Sequence, residues 1–388
     1  MKIGILTYHH VINDGAVLQT LGHVYTLKEL FPEATIEVID YRHKTFDWVE
    51  QRDLLLKIAK FDKNVISQIK KYLSFKKFIL KYLPLSKEKL VSDDINAAVT
   101  FINKQNYDYI IVGSDEVWKV LNKKYSRKFP TIYWLPSQIK AIKIGSAVSA
   151  NASNEKLLNE ENVRLYIKEC VVHYKAIAAR DMFTYNLINS IDSSLNLYSI
   201  PDPTFGVEFK VEGVQQKLIK CGVDFNRKRF LLNLTSNHKD FAKVSAQFRQ
   251  YADENNIQLV GIGQYNKYCD INLVHELNPL EWADCYRFFD FCLTDRFHST
   301  IFSIKNKIPF MAVEYPSKYK GVNRGKIVDL LTKLDKMENH FFYDDNIDFK
   351  VQLGKIINNF DVVSYENIIK NLKEEFRNHL IKNITNNN

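Results

Sequence analysis

Short apolar runs alternate with longer amphipathic stretches along the chain, and the alternation predicts repeated strand–helix–strand units. Residues 2–8 alternate little and are bounded by polar residues, as in a strand covered on both faces. Gly15-Ala16-Val17-Leu18-Gln19 opens a helix that runs to about Leu30, and residues 35–41 form a second strand. Such an opening predicts a parallel sheet whose ligand lies at the carboxyl ends of its strands. Residues 48–90 read as a basic helical arm broken at Pro84. Helices over 94–103, 160–173 and 181–191 then alternate with strands over 107–112, 141–149 and 176–179, and Pro201-Asp202-Pro203-Thr204 closes this half.

A second series follows a stretch, 206–227, that carries no strong period and reads as a connector. Strands are expected over 229–234, 258–261, 291–294 and 309–313, and helices over 239–255, 280–287, 299–305 and 326–334. Residues 365–382 form a charged amphipathic helix. The organisation is therefore an N-terminal α/β domain over 1–205, a C-terminal one over 228–345, and a helical tail over 346–388 that packs back. At 388 residues the chain exceeds one ordinary core, which supports two domains. A 46% hydrophobic share argues against disorder.

Five cysteines, none in a C-x-x-C pair, define neither a disulfide framework nor a zinc site. No signal peptide and no membrane-spanning run is visible, so a cytoplasmic protein is expected. The net charge of +9 favours anionic partners. No helix-turn-helix, RNA-recognition or zinc pattern directs that charge to nucleic acid. Ten lysines between Lys57 and Lys89 face only Asp62 and Glu88. One apolar and one cationic face would suit peripheral docking on the inner face of an anionic membrane. The other reading is an arm packed on the first domain with its lysines in water.

Three segments, 7–19, 112–118 and 294–300, each follow an expected strand and precede an expected helix, where α/β proteins place ligands. Ala178-Ala179-Arg180-Asp181 sits at a similar strand end. Ile5-Leu6-Thr7-Tyr8-His9 with Asn13, Gly15 and Leu18-Gln19 resembles the opening of the polysaccharide pyruvyl transferase family. Val112-Gly113-Ser114-Asp115-Glu116-Val117-Trp118 resembles that family's VGSDQVW stretch, with Glu116 for Gln. Ala179-Arg180-Asp181 and Asp202-Pro203-Thr204-Phe205 resemble its arginine turn and DP motif. Thr294-Asp295-Arg296-Phe297-His298-Ser299-Thr300 resembles its TxRxHG-like segment, with Ser299 where Gly is usual.

The resemblance implies transfer of a pyruvyl group from phosphoenolpyruvate to a sugar of a cell-surface polysaccharide, such as a capsule or exopolysaccharide, or to its lipid-linked precursor. It goes with two Rossmann-like domains in a GT-B-like pair facing a central cleft. Phosphoenolpyruvate carries close to three negative charges, so guanidinium groups and helix starts suit it. Arg180 and Arg296, one from each half, are the expected donor ligands; the alternative for each is an inter-domain ion pair with a carboxylate. His298 is the expected general acid or phosphate contact. Asp115 is a candidate base toward the acceptor hydroxyl or a sugar-binding carboxylate, or else an ordinary helix N-cap beside Ser114. Asn13, Gly15, Gln19 and Ser114 are expected to let substrate approach the backbone, with simple turn chemistry as the alternative. At most one of His9 and His10, adjacent on an extended segment, is expected to reach the crevice. Lys318, with Lys320 and Arg324, forms a basic loop that either closes over phosphate or stays in water.

No metal cluster is visible and no cofactor is expected, phosphoenolpyruvate entering as donor substrate. A GT-B glycosyltransferase using a nucleotide-sugar is the alternative, although 261–276 and 284–295 show no clear pair of ribose-binding carboxylates.

Overall fold

The structure, a computed structural model, describes residues 1–45, 48, 52, 65–122, 128–235, 240–315, 325–343 and 349–385. Two compact units divide the chain: Met1–Glu208 with Leu372–Asn388, and Phe209–Asn371.

The first unit is built on a seven-stranded sheet in the order β3-β2-β1-β4-β5-β6-β7, parallel throughout. Its strands are β1 (Lys2–Leu6), β2 (Thr35–Arg42), β3 (Leu85–Val91), β4 (Tyr109–Val112), β5 (Ile142–Val148), β6 (Tyr174–Ala179) and β7 (Leu197–Ser199). Each residue of β4 is buried, as a central parallel strand with both faces covered requires. The helix Asp14–Leu30 starts at Asn13, whose side chain accepts from the Ala16 amide, with Asp14 in its first turn and Lys28 in its last. Gly22 lets this helix meet the turn Pro203–Gly206, because a Cβ there would sit 2.5 Å from the Pro203 carbonyl oxygen. The core packs Trp118 on Trp134 with ring centres 4.7 Å apart, and Trp118 Nε1 donates to the Tyr133 carbonyl at 2.9 Å.

The second unit carries a six-stranded parallel sheet in the order β10-β9-β8-β11-β12-β13. These strands are β8 (Arg229–Asn233), β9 (Gln258–Gly261), β10 (Ile271–Asn272), β11 (Phe291–Thr294), β12 (Phe310–Glu314) and β13 (His340–Phe342). Phe291 anchors the core between Phe230 and Phe248, and Phe349 closes on Phe248 at 5.3 Å. The helix Phe349–Asn358 thus belongs to this core, ahead of the longer helix Val362–Thr385.

Three expectations change. Residues 85–91, read as the end of a helical arm, form the edge strand β3, because pairing with β2 overrides a lysine-rich local pattern. Only the helix Val65–Tyr82 of the arm is defined, and 49–51 and 53–64 lie outside the described residues. Within 206–227, residues from Phe209 onward belong to the second unit and include the helix Val214–Lys220. The tail over 346–388 is divided likewise: Leu372–Asn388 belongs to the first unit, where His379 Nδ1 lies 2.7 Å from the Tyr198 hydroxyl and Arg377 reaches Glu29 at 2.9 Å. Among the described residues, no helix is long and apolar enough to cross a membrane.

Candidate functional site

In the first unit the strand order reverses between β1 and β4, and the segments after these two strands meet there. Thr7 Oγ1 donates to the Ser114 carbonyl at 3.2 Å, tying one strand end to the other. Gly113 holds φ +124°, and a Cβ there would lie 2.0 Å from the Ser146 carbonyl oxygen, so the turn excludes any side chain. No helix follows this turn among the described residues 114–122, contrary to expectation. Asp115 takes a left-handed φ of +74° and bridges to Val148. Asp115 is therefore not an N-cap; one of its carboxylate oxygens accepts from the Glu116 amide at 2.8 Å.

Arg180, at the end of β6, reaches that carboxylate. Its Nη2 lies 3.6 Å from Asp115 Oδ1, and its Nη1 lies 3.3 Å from Asp202 Oδ2. Only 3% of the arginine side chain is exposed. Burial by itself would lower its pKa, but Asp115, Asp202, Asp181 and Glu116 together raise it. Gln19 Nε2 donates to the same Asp202 oxygen at 2.5 Å, and the other Asp202 oxygen holds the Thr204 amide. Asp181 caps the next helix by accepting from Thr184. The sequence motifs around 19, 115, 180 and 202 thus converge on one buried ion-pair network. Arg180 is engaged by carboxylates of its own unit, at Asp115 and Asp202.

Asn13 serves as a helix cap, and Gly15 is buried in the first turn of that helix. Ser114 is buried, and its Oγ has no hydrogen-bond partner. His9 and His10 sit in a turn rather than on an extended segment, so strict alternation does not apply, and both are buried. His9 Nε2 meets Asp40 Oδ1 at 3.1 Å, and Arg42 Nε joins the same oxygen at 3.0 Å. Burial opposes the Asp40 charge, but the His9 hydrogen bond and the Arg42 charge prevail and lower its pKa to about 2. Burial, followed by the neighbouring His9 and Arg42 charges, lowers the pKa of His10.

In the second unit the order reverses between β8 and β11. Arg296 is the N-cap of the helix Phe297–Lys305 and makes no side-chain cap. Its side chain is 43% exposed, and its nearest carboxylate contact, with Asp295, is long at 3.9 Å. His298 is half-buried in the first turn of the same helix, its ring edge-on to Phe297. The helix begins two residues earlier than expected, which places both residues at its start. Beneath them lies a network that the sequence did not signal. Ser299 Oγ meets the Tyr286 hydroxyl and accepts from Asn233 Nδ2 at 3.1 Å, and Asp295 Oδ1 accepts from the Thr235 amide and hydroxyl, both at 3.0 Å. These partners lie 13 to 66 residues apart in the chain, so no local motif unites them. Lys318, Lys320 and Arg324 lie outside the described residues. Among the described residues, no group of three or more His, Cys, Asp or Glu is placed to hold a metal ion.

Two parallel α/β units of this kind define a GT-B-like fold, and the comparisons agree. The chain is similar over 96% of its length to 99% of the UDP-GlcNAc 2-epimerase of Methanocaldococcus jannaschii, with TM-score 0.55 and 12% identity. The spinosyn forosaminyltransferase SpnP matches with TM-score 0.54 at 10% identity, covering 99% of this chain and 98% of that one. UGT89C1 of Arabidopsis thaliana matches with TM-score 0.52 at 10% identity, covering 98% of each chain. No curated protein sequence matches significantly. The family pattern of the polysaccharide pyruvyl transferases matches residues 13–317, and the chain belongs to that family.

Proposed function

We propose that the protein transfers a pyruvyl group from phosphoenolpyruvate to a sugar of a cell-surface polysaccharide or its lipid-linked precursor, in the cytoplasm. The observation that carries the reading is the pair at the start of helix Phe297–Lys305: an exposed Arg296 with no close partner carboxylate among the described residues, and His298 two residues on. A guanidinium beside a helix start binds a carboxylate or phosphate through charge-assisted hydrogen bonds. All five cysteines are free thiols, as a reducing compartment favours.

In this reading Arg296 holds the donor anion, and His298 delivers a proton to its methylene carbon. An acceptor hydroxyl oxygen bonds to the adjacent carbon, phosphate departs, and a second hydroxyl closes the ketal. The two hydroxyl protons balance the step, one restoring the histidine and one leaving with phosphate. Asp115, held by Arg180, takes the first acceptor hydroxyl's proton and hands it to the departing phosphate, while the second hydroxyl's proton restores the histidine. Gln19 supports that carboxylate through Asp202, and Ser114 lies beside it as a contact for the sugar. Neutralisation of the leaving phosphate by arginine requires no metal in this scheme.

The test is incubation with phosphoenolpyruvate and candidate lipid-linked sugars, read as phosphate release. A parallel thermal-shift series sets phosphoenolpyruvate against nucleotide-sugars. Stabilisation by phosphoenolpyruvate and sugar-dependent phosphate release are expected. Stabilisation by a nucleotide-sugar alone would instead favour the glycosyltransferase reading.

A further inference from the structure

The helix Val65–Tyr82 is docked by one side and bare on the other. Phe75, Phe78 and Ile79 form its buried side, and Lys71 pairs with Asp14 at 3.2 Å, fixing which way the helix is turned. On the outer side, Ile66, Leu73 and Leu80 are 66%, 58% and 74% exposed. They repeat every seven residues, so they form one row with a step of about 10 Å. Lys70, Lys77 and Lys81 flank the row on one edge, and Lys76 lies on the other; all four are exposed. The helix contains no acidic residue at all.

An isolated exposed leucine needs no explanation. Three large aliphatic side chains in register, bordered by four cations on a helix that has no acidic residue, are a different case. A soluble helix face of this length ordinarily carries mixed charge and no aliphatic row. A polyanion alone would use the lysines and leave the row in water. A second copy of the chain would bring two cationic faces together. A surface that is both anionic and apolar at shallow depth uses both features at once.

We infer that the outer face of Val65–Tyr82 is a docking surface for an anionic lipid bilayer, with Ile66, Leu73 and Leu80 entering the interface and Lys70, Lys76, Lys77 and Lys81 meeting lipid phosphates. This goes beyond the transfer reaction and stands without it. If the acceptor is carried on a lipid, the same surface delivers the enzyme to it.

The experiment is co-sedimentation of the full chain with vesicles of phosphatidylcholine alone or mixed with phosphatidylglycerol. Binding is expected only to the mixed vesicles and should weaken as salt rises. Replacing Lys70, Lys76, Lys77 and Lys81 by Gln removes four surface cations, and affinity is expected to fall by roughly two to three orders of magnitude. Ile66→Gln, Leu73→Gln and Leu80→Gln together are expected to reduce it at least tenfold, with the thermal midpoint unchanged because the buried side is untouched. The inference is overturned if both vesicle types bind equally, if neither binds, or if the aliphatic variant binds like the wild type. It is also overturned if the wild type sediments as a dimer that this variant dissociates. None of these readouts depends on pyruvyl transfer, so failure of either proposal is visible separately.

Discussion

Arg180 and Asp115 form an ion pair at 3.6 Å, the arginine end of which is almost completely enclosed. With Asp202 on its other amino group, one buried guanidinium links the end of β4 to the turn that follows β7.

Removing that guanidinium leaves two carboxylates without their counter-ion. Arg180→Ala should therefore destabilise the protein by about 3 to 5 kcal/mol, as breaking a buried pair from one side does. Denaturant unfolding measures this. The double variant with Asp202→Asn should recover part of the loss, because one of the stranded charges is then gone.

Arg296 presents the opposite case. It is exposed and makes no close ion pair among the described residues, so Arg296→Ala should alter stability by no more than about 0.5 kcal/mol. Phosphate release from phosphoenolpyruvate should nonetheless fall about a hundredfold or more, the usual scale for loss of one donor to a developing charge. His298→Ala should likewise suppress release while the protein stays folded. If both variants keep full activity, the donor site lies elsewhere.

Acid should weaken the first unit through two buried histidines. Burial lowers the pKa of His23 to about 4 and that of His379 to about 3. Each is neutral in the fold and would take up a proton near pH 6.5 once unfolded. Their stabilisation is complete above that pH and is lost as pH falls toward 4 and 3. At roughly 1.4 kcal/mol per pKa unit, His23 alone accounts for about 3 kcal/mol of that loss. Unfolding midpoints measured between pH 7 and pH 4 should fall steeply, and His23→Gln should flatten the slope.

Ser299, where the family usually has glycine, is wired to Tyr286 and Asn233. Ser299→Gly should cost about 1 to 3 kcal/mol, because a buried hydroxyl and a buried amide lose their shared partner. Arg296 and His298, the residues proposed to bind the donor, are unchanged, so the Michaelis constant for phosphoenolpyruvate should stay near the wild-type value. Thermal unfolding beside steady-state kinetics separates the two effects.

The main strands and helices were legible because each carries its own period. Val112 and its neighbours are apolar without a break, and the helix at Asp14–Leu30 opens on a recognisable cap. Edge strands were not legible. β7, β10 and β13 are two or three residues long, too short for a period, and β3 looks like a lysine-rich helix end until β2 pairs with it. The expected helix after Gly113 was wrong because that residue's close contact with Ser146, distant in sequence, decides the local backbone.

The same division runs through the candidate site. Sequence alone determined two parallel α/β units, their order, and the strand-end segments that carry arginine, histidine and aspartate, since apolar periodicity and turn chemistry are local properties. Only the tertiary structure decided that Arg180 is neutralised by Asp115 and Asp202 while Arg296 stays exposed, and that Ser299 is buried among hydroxyl and amide partners. Two arginines at equivalent strand ends look alike in the chain. Whether a guanidinium meets a carboxylate or solvent depends on residues from 22 to 65 positions away, which the fold alone brings near or keeps apart.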